Sequence, residues 1–214
     1  EGIQGIAYQV LRVVEKIASA CSTHVICVSP SLRDKAIEIG AIPSKKSVVI
    51  GHGSSNGVDV SRFDRTPELD QRVDELRHQL SIRDGEVTIV FVGRIVRDKG
   101  IPELVQAFER IQNRYPATRL VLAGPRENSN GVPSLTWDVI NANPRIDWLG
   151  ETSDTPAVFA LADIVALPTH REGFPNVALE AAAAGKPLVV STATGAVDSI
   201  DDDVTGILFE TGNV

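Results

Sequence analysis

From residue 87 onward, short apolar runs rich in β-branched residues alternate with stretches of helical periodicity, and few folds accommodate that rhythm. The runs fall at 87–92, 119–123, 146–149, 164–167, 187–191 and 207–209, each of strand length. Between them, helical spacing predicts helices over 101–114, 134–142, 155–161 and 176–184, while 196–200 stays undecided. Strand and helix in regular succession argue for repeated βαβ units. The fold class is therefore α/β, a Rossmann-like parallel sheet covered by helices. In such sheets ligands sit at the carboxyl ends of the strands, so chemistry is to be sought in the loops after Val92, Ala123, Leu149, Leu167 and Ser191.

The first 60 residues differ in character and read as the end of one unit followed by a crossing. Ile6, Val10, Val13, Val14 and Ile17 keep helical spacing within 4–19, with Glu15 and Lys16 on the other side. A short strand at 24–28 precedes Ser29-Pro30, an N-cap and first-turn proline opening a helix that ends near Gly40. A second short strand at 48–50 leads into the small-residue loop 51–57, which has the composition of a hinge. The chain begins at Glu1 and has no methionine, which reads as a segment of something longer.

Two loops carry candidate chemistry. Gly93-Arg94-Ile95-Val96-Arg97-Asp98-Lys99-Gly100 directly follows the 87–92 strand. Glycine there lets backbone approach a ligand, and Arg94 and Lys99 converging at the top of the sheet suit a diphosphate, one as a planar fork and one as a point charge. A polar loop with solvated cations fits the same residues. The second loop, Arg171-Glu172-Gly173-Phe174-Pro175-Asn176-Val177, leads into a helix containing Glu180. Free amides at that helix entry favour an anion, and Glu180 about one turn in has the chemistry to hold ribose hydroxyls. An acidic first turn stabilising its own dipole fits equally, and the run Ala181 to Ala184 is packing.

Composition excludes several classes. A net charge of −7 argues against a broad nucleic-acid footprint and leaves any anion to a few placed cations. No apolar run reaches the roughly 20 residues of a membrane span, and no export signal opens the chain. P-loop and Gly-x-Ser-x-Gly patterns are missing. Cys21 and Cys27 lie in an apolar stretch without a ligand cluster and are expected as buried thiols of a reducing compartment. The segment 51–56 only approximates a dinucleotide fingerprint, and Asp201-Asp202-Asp203 sits in a turn and is set aside as a metal site. Among the histidines only His170, two residues before Glu172, is placed to see a ligand.

Taken together these motifs resemble the carboxy-terminal half of family-4 retaining glycosyltransferases of the GT-B fold. The resemblance rests on Asn56-Gly57-Val58-Asp59 with Phe63, Gly93-Arg94 with Lys99-Gly100, the E-x7-E pair Glu172 and Glu180 in its Glu-Gly-Phe-Pro-Asn setting, and Gly185-Lys186-Pro187, all in the family's order. The stretches 53–59 and 192–198 look most like members building bacterial capsular or exopolysaccharide units. The resemblance implies that 1–55 end an amino-terminal domain and its crossing, and that 56–214 form a donor-binding domain truncated at its carboxy terminus. It implies a retaining, metal-independent, cofactor-free hexosyltransferase in which Arg94, Lys99 and Glu172 are catalytic. Gly93, Leu149, Gly150, Glu151, Gly173, Phe174, Asn176, Val177 and Glu180 would bind the donor, with 149–151 reading the base. The implied partners are a nucleotide-sugar donor, a sugar or lipid-linked sugar acceptor and the chain's own amino-terminal domain, with no nucleic acid. The implied place is the cytoplasm, at the inner membrane face where the acceptor is lipid-linked, with any peripheral membrane contact made by parts outside this sequence. The isolated segment is expected to transfer little or no sugar. A sugar-nucleotide epimerase of the same fold and a non-catalytic nucleotide-binding module are the alternatives.

Overall fold

The computed structural model describes residues 5–54, 56–127 and 131–214, so Gln4 at the expected start of the first helix and Ser55 in the small-residue loop lie outside the described residues. Helix α1 (Ile6–Cys21) leads to β1 (Val25–Cys27), α2 (Pro30–Glu38) and β2 (Ser47–Val49). Ser29 caps α2 as its sequence suggests, its Oγ accepting from the Leu32 amide at 3.3 Å with Pro30 in the first turn. Strands β1 and β2 pair in parallel, and α2 closes over a small core of Cys27, Ala41 and Ile42. Cys27 is buried, and desolvation pushes its thiol up. Cys21 corrects the expectation of two buried thiols, because it is exposed. Its apolar neighbours do not enclose it: Val10, Val13, Val14 and Ile17 of α1 are each more than half exposed.

The main sheet has six parallel strands: β3 (Val87–Val92), β4 (Thr118–Ala123), β5 (Ile146–Gly150), β6 (Ile164–Leu167), β7 (Leu188–Ser191) and β8 (Gly206–Phe209). Their order, β5-β4-β3-β6-β7-β8, reverses direction between β3 and β6. That is the switch point of a doubly wound sheet, where a crevice opens beyond the strand ends. The expected Rossmann-like α/β class is the observed one.

The central strands of this sheet are buried on both faces, which is why they are largely apolar. Ile89, Phe91, Leu120 and Leu122 point to one side and pack against α4 (Ile101–Arg114) and α5 (Ser134–Ala142). Val90, Val92, Val121 and Val165 point to the other, beneath α6 (Thr155–Leu161) and α7 (Asn176–Ala183). Phe63 ends a short 3₁₀ turn at the crossing, and its ring meets Phe159 of α6 edge-on with centroids 5.9 Å apart. The aromatic residue of the crossing motif is therefore an anchor into the core.

The sequence pattern did not assign α3 (Pro67–Gln79), which packs on α6. Only Leu69 and Val73 of this helix are buried, so its apolar stripe is thin among charges. Its start signal was nonetheless present: Thr66 accepts from the Leu69 amide at 3.2 Å, Pro67 follows, and Glu68 and Asp70 occupy the first turn. The undecided 196–200 segment is a 3₁₀ turn at Val197–Ser199.

At the amino ends of β3 to β5, away from the switch point, Glu86 meets Arg119 and Arg145, and Arg119 also reaches Asp147 at 2.6 Å. Burial raises the Glu86 carboxyl, but hydrogen bonds from Arg145 and the Arg83 amide and the charges of both arginines hold it below the usual range. This buried network ties three strands together at the base of the sheet.

Candidate functional site

Beyond β3 the chain turns at Gly93, whose amide donates to the Ala123 carbonyl at 2.9 Å, and then forms the 3₁₀ turn Arg97–Lys99. Gly100 ends that turn at φ 73°, and a Cβ there would lie 2.0 Å from the Pro168 carbonyl oxygen. Only glycine lets the loop after β3 rest on the loop after β6. The amide of His170 and the hydroxyl of Thr169 both donate to the Asp98 carbonyl, at 2.8 and 3.2 Å. With the two loops joined, the Lys99 ammonium forms an ion pair with the Glu172 carboxylate, and Arg171 pairs with Asp98 at 2.5 Å.

Arg94 projects from the same loop and donates from Nη1 to both carboxylate oxygens of Glu127, at 3.1 and 3.0 Å. These groups line a cleft of about 650 Å³ over the switch point, with Gly173 and Thr194 on one wall and Leu32 and Lys35 of α2 on another. The Glu172 loop is held from behind. The Glu172 amide donates to the Thr194 carbonyl at 3.0 Å, and the amide of Gly195 donates to Ser31 Oγ at 2.7 Å. Ser31 in turn donates from its hydroxyl and its amide to Asp198 at 2.5 and 2.9 Å. Through that chain α2 is fastened to the wall that carries Glu172.

The other expected residues are distributed around this cleft. Helix α7 begins after Pro175 with no side-chain cap, so the amides of Asn176 and Val177 have no intrahelical acceptor and carry the positive end of the helix dipole. Phe174 and Asn176 face the crossing loop: a Cβ on Gly53 would lie 3.1 Å from the Phe174 ring, and Ser54 Oγ donates to Asn176 Oδ1 at 3.4 Å. Val177 packs on the core. Glu180 is partly buried, and burial pushes its carboxyl above the ordinary range while Arg62 pulls it back. Leu149 and Glu151 line a different groove of about 300 Å³ with Arg72 and Gln79 of α3, and Gly150 between them accepts from the Gly124 amide at 2.8 Å.

The structure thus brings Arg94, Lys99, Glu172 and Gly173 into one cleft and sets 149–151 in a neighbouring groove. His170 reaches the cleft, but its Nε2 lies 3.1 Å from Glu103 Oε1 at the start of α4. Asp201 to Asp203 turn into the amino end of β8, where Asp202 Oδ1 accepts from the Leu208 amide at 2.8 Å, at the opposite edge of the sheet from the cleft. Among the described residues no group of three or more His, Cys, Asp or Glu is placed to hold a metal ion.

Sequence reading missed Glu127, Leu32 and Lys35 as cleft residues. Glu127 stands four residues beyond β4, within a loop that the strand-end rule points to. Leu32 and Lys35 carry no such signal, since only tertiary packing brings α2 to the cleft. Chemically, the cleft offers a guanidinium and an ammonium beside the loop that leads into α7, each cation already facing a carboxylate.

The family model described as glycosyl transferases group 1 matches residues 72–214. The capsular polysaccharide biosynthesis glycosyltransferase CapM of Staphylococcus aureus is 35% identical over 213 residues, covering 100% of this chain and 55% of that protein. The fold superimposes with a TM-score of 0.81 on Anabaena Alr3699/HepE in complex with UDP, at 25% identity, covering 97% of this chain and 55% of that one. The C-terminal domain of the glycosyl transferase group 1 family protein LpcC from Francisella tularensis gives a TM-score of 0.60 at 25% identity, covering 73% of this chain and 82% of that domain. The chain spans about half the length of the first of these relatives.

Proposed function

The chain belongs to the group 1 glycosyl transferases, and from that premise we propose that it is the donor-binding half of a glycosyltransferase that moves a sugar from a nucleotide-diphosphate sugar to an acceptor with retention of configuration. The observation that carries the reading is the convergence of Arg94 and Lys99 on one cleft at the switch point, beside the Glu172-Gly173 loop that leads into the uncapped start of α7. A diphosphate placed there meets a bidentate donor, a point charge and backbone amides. The same cations stabilise charge as it develops on the leaving diphosphate, so no metal is required for that task. Glu172 stands at the sugar end, held by Lys99. Glu180 takes the ribose hydroxyls, and 149–151 read the base.

HepE in complex with UDP-glucose supports a nucleotide-sugar donor, and the similarity to CapM supports a role in capsular polysaccharide synthesis. The match to the LpcC C-terminal domain supports reading this chain as a carboxy-terminal domain, and the donor half is our assignment of that domain. Calorimetric titration with UDP, GDP and ADP in excess chelator tests the reading. One nucleotide is expected to bind, with binding lost in Glu180→Ala and in the pair Arg94→Ala plus Lys99→Ala. Binding that depends on added divalent metal, or survives both variants, contradicts it.

A further inference from the structure

Each cation of the cleft is matched to a carboxylate, but the two main pairs differ in how firmly they are held. Lys99 and Glu172 keep 20% and 14% of their side-chain surface exposed, whereas Arg94 and Glu127 keep 59% and 32%. An exposed pair is screened by water and salt and is readily exchanged, while a half-enclosed pair is screened less and persists. Arg94 holds both oxygens of Glu127 from Nη1 alone, so Glu127 occupies one end of a guanidinium that can equally take a phosphate oxygen.

The loop bearing Glu127 is itself pinned. The Ile95 amide donates to the Pro125 carbonyl at 2.8 Å, Trp148 Nε1 donates to the Gly124 carbonyl at 2.9 Å, and the Arg126 guanidinium lies 4.4 Å above the Trp137 ring. The carboxylate can rotate off Arg94, but its backbone holds it at the cleft. After exchange it is a negative charge beside a bound diphosphate, which weakens the binding of that anion.

We propose that Glu127 occupies Arg94 in the cleft until a nucleoside diphosphate group displaces it, and that as a retained neighbouring charge it then speeds release of the nucleoside diphosphate product. This rests on the reading of the cleft as the donor site. Glu127 acts through Arg94 and touches no reacting atom.

The test uses the full-length protein, with UDP as probe, and with GDP and ADP where UDP does not bind. Calorimetry and stopped-flow dissociation are run on the wild type, Glu127→Gln, Glu127→Asp, Arg94→Ala and the double variant Glu127→Gln with Arg94→Ala. Glu127→Gln is expected to bind the nucleotide up to about fivefold more tightly, the factor set by an exposed charge pair, with slower dissociation. Glu127→Asp returns toward wild type, and the effect disappears in the double variant. A merely structural role would weaken binding instead. Unchanged or weaker binding by Glu127→Gln, with Arg94→Ala still impaired, overturns this inference and leaves the donor reading intact. Wild-type protein that binds none of the nucleotides, or Arg94→Ala that binds like wild type, overturns the donor reading and this inference with it.

Discussion

Lys99 and Glu172 lie 73 residues apart, on loops that follow β3 and β6, and form an ion pair across the point where the sheet reverses its winding. Both are largely enclosed, at 20% and 14% side-chain exposure, so water screens their attraction little. Under the proposed function, the pair fixes a cation for a leaving diphosphate and a carboxylate for a sugar in one rigid relation. Removing the ammonium with Lys99→Ala is expected to lower turnover of the full-length enzyme by about a hundredfold or more, the scale of losing one preorganised charge-stabilising group. Steady-state transfer assays with a saturating donor measure it, and kcat should fall more than the donor KM rises.

Gly195 gives a second handle on the same carboxylate. It adopts φ 80°, and a Cβ there would lie 2.4 Å from the Glu172 carbonyl oxygen and 2.5 Å from that of Gly173. Gly195→Ala is expected to cost about 1–2 kcal/mol from the left-handed backbone alone. It should also displace the Glu172 loop, so that turnover falls further than the loss of folded protein accounts for. Thermal denaturation alongside specific activity per folded enzyme separates the two effects.

The partly buried Glu180 carries a pH signature. Its carboxyl is pushed up by burial and only partly brought back by Arg62, so the folded protein binds that proton more tightly than the unfolded chain. Stability contributed by this group therefore falls as pH rises from the ordinary carboxylate range through the raised folded value. Glu180→Gln is expected to raise the Tm at neutral pH, with the gain vanishing in acid well below that range, while nucleotide binding is lost. Scanning calorimetry across pH, paired with titration of the nucleotide, reads both.

Glu86 behaves in the opposite sense. Burial is outweighed by its hydrogen bonds and by Arg145 and Arg119, so its folded value is depressed. The stability it provides is complete above the unfolded carboxylate range and lost as pH falls through the folded value. Glu86→Gln removes the carboxylate shared by Arg145 and Arg119 while Arg119 keeps Asp147, and is expected to cost about 1–3 kcal/mol at neutral pH. Urea denaturation at pH 7 and in acid should show the difference between variant and wild type shrinking with protonation, with nucleotide affinity unchanged.

Much of the fold was legible because its signals are local. Helices α4, α5 and α6 and strand β6 have the bounds their spacing predicts, since a sheet buried on both faces needs unbroken apolar strands and each covering helix needs an apolar stripe. Helix α3 escaped because it buries only Leu69 and Val73, too few for periodicity to register, although Thr66-Pro67 marked its start. Cys21 was misjudged for the converse reason: an apolar stretch in sequence became an exposed helix face.

The candidate site divides along the same line. Gly93, Arg94, Lys99, Glu172 and Glu180 could be named from their spacing after predicted strands, because a parallel α/β sheet places those loops at one edge whatever the details. Which residues meet there was not written in any local pattern. That Lys99 faces Glu172, that Arg94 is held by Glu127, that 149–151 open onto a groove beside α3, and that Ser31 of α2 fastens the Gly195 loop all depend on pairings between residues distant in the chain. The sequence by itself determined the class of sheet, the edge that carries the chemistry and the cations available there, since each follows from periodicities of a few residues. Tertiary structure alone decided which carboxylate each cation faces, because ion pairing depends on distance in space and on exclusion of water, and neither is a property of neighbours in sequence.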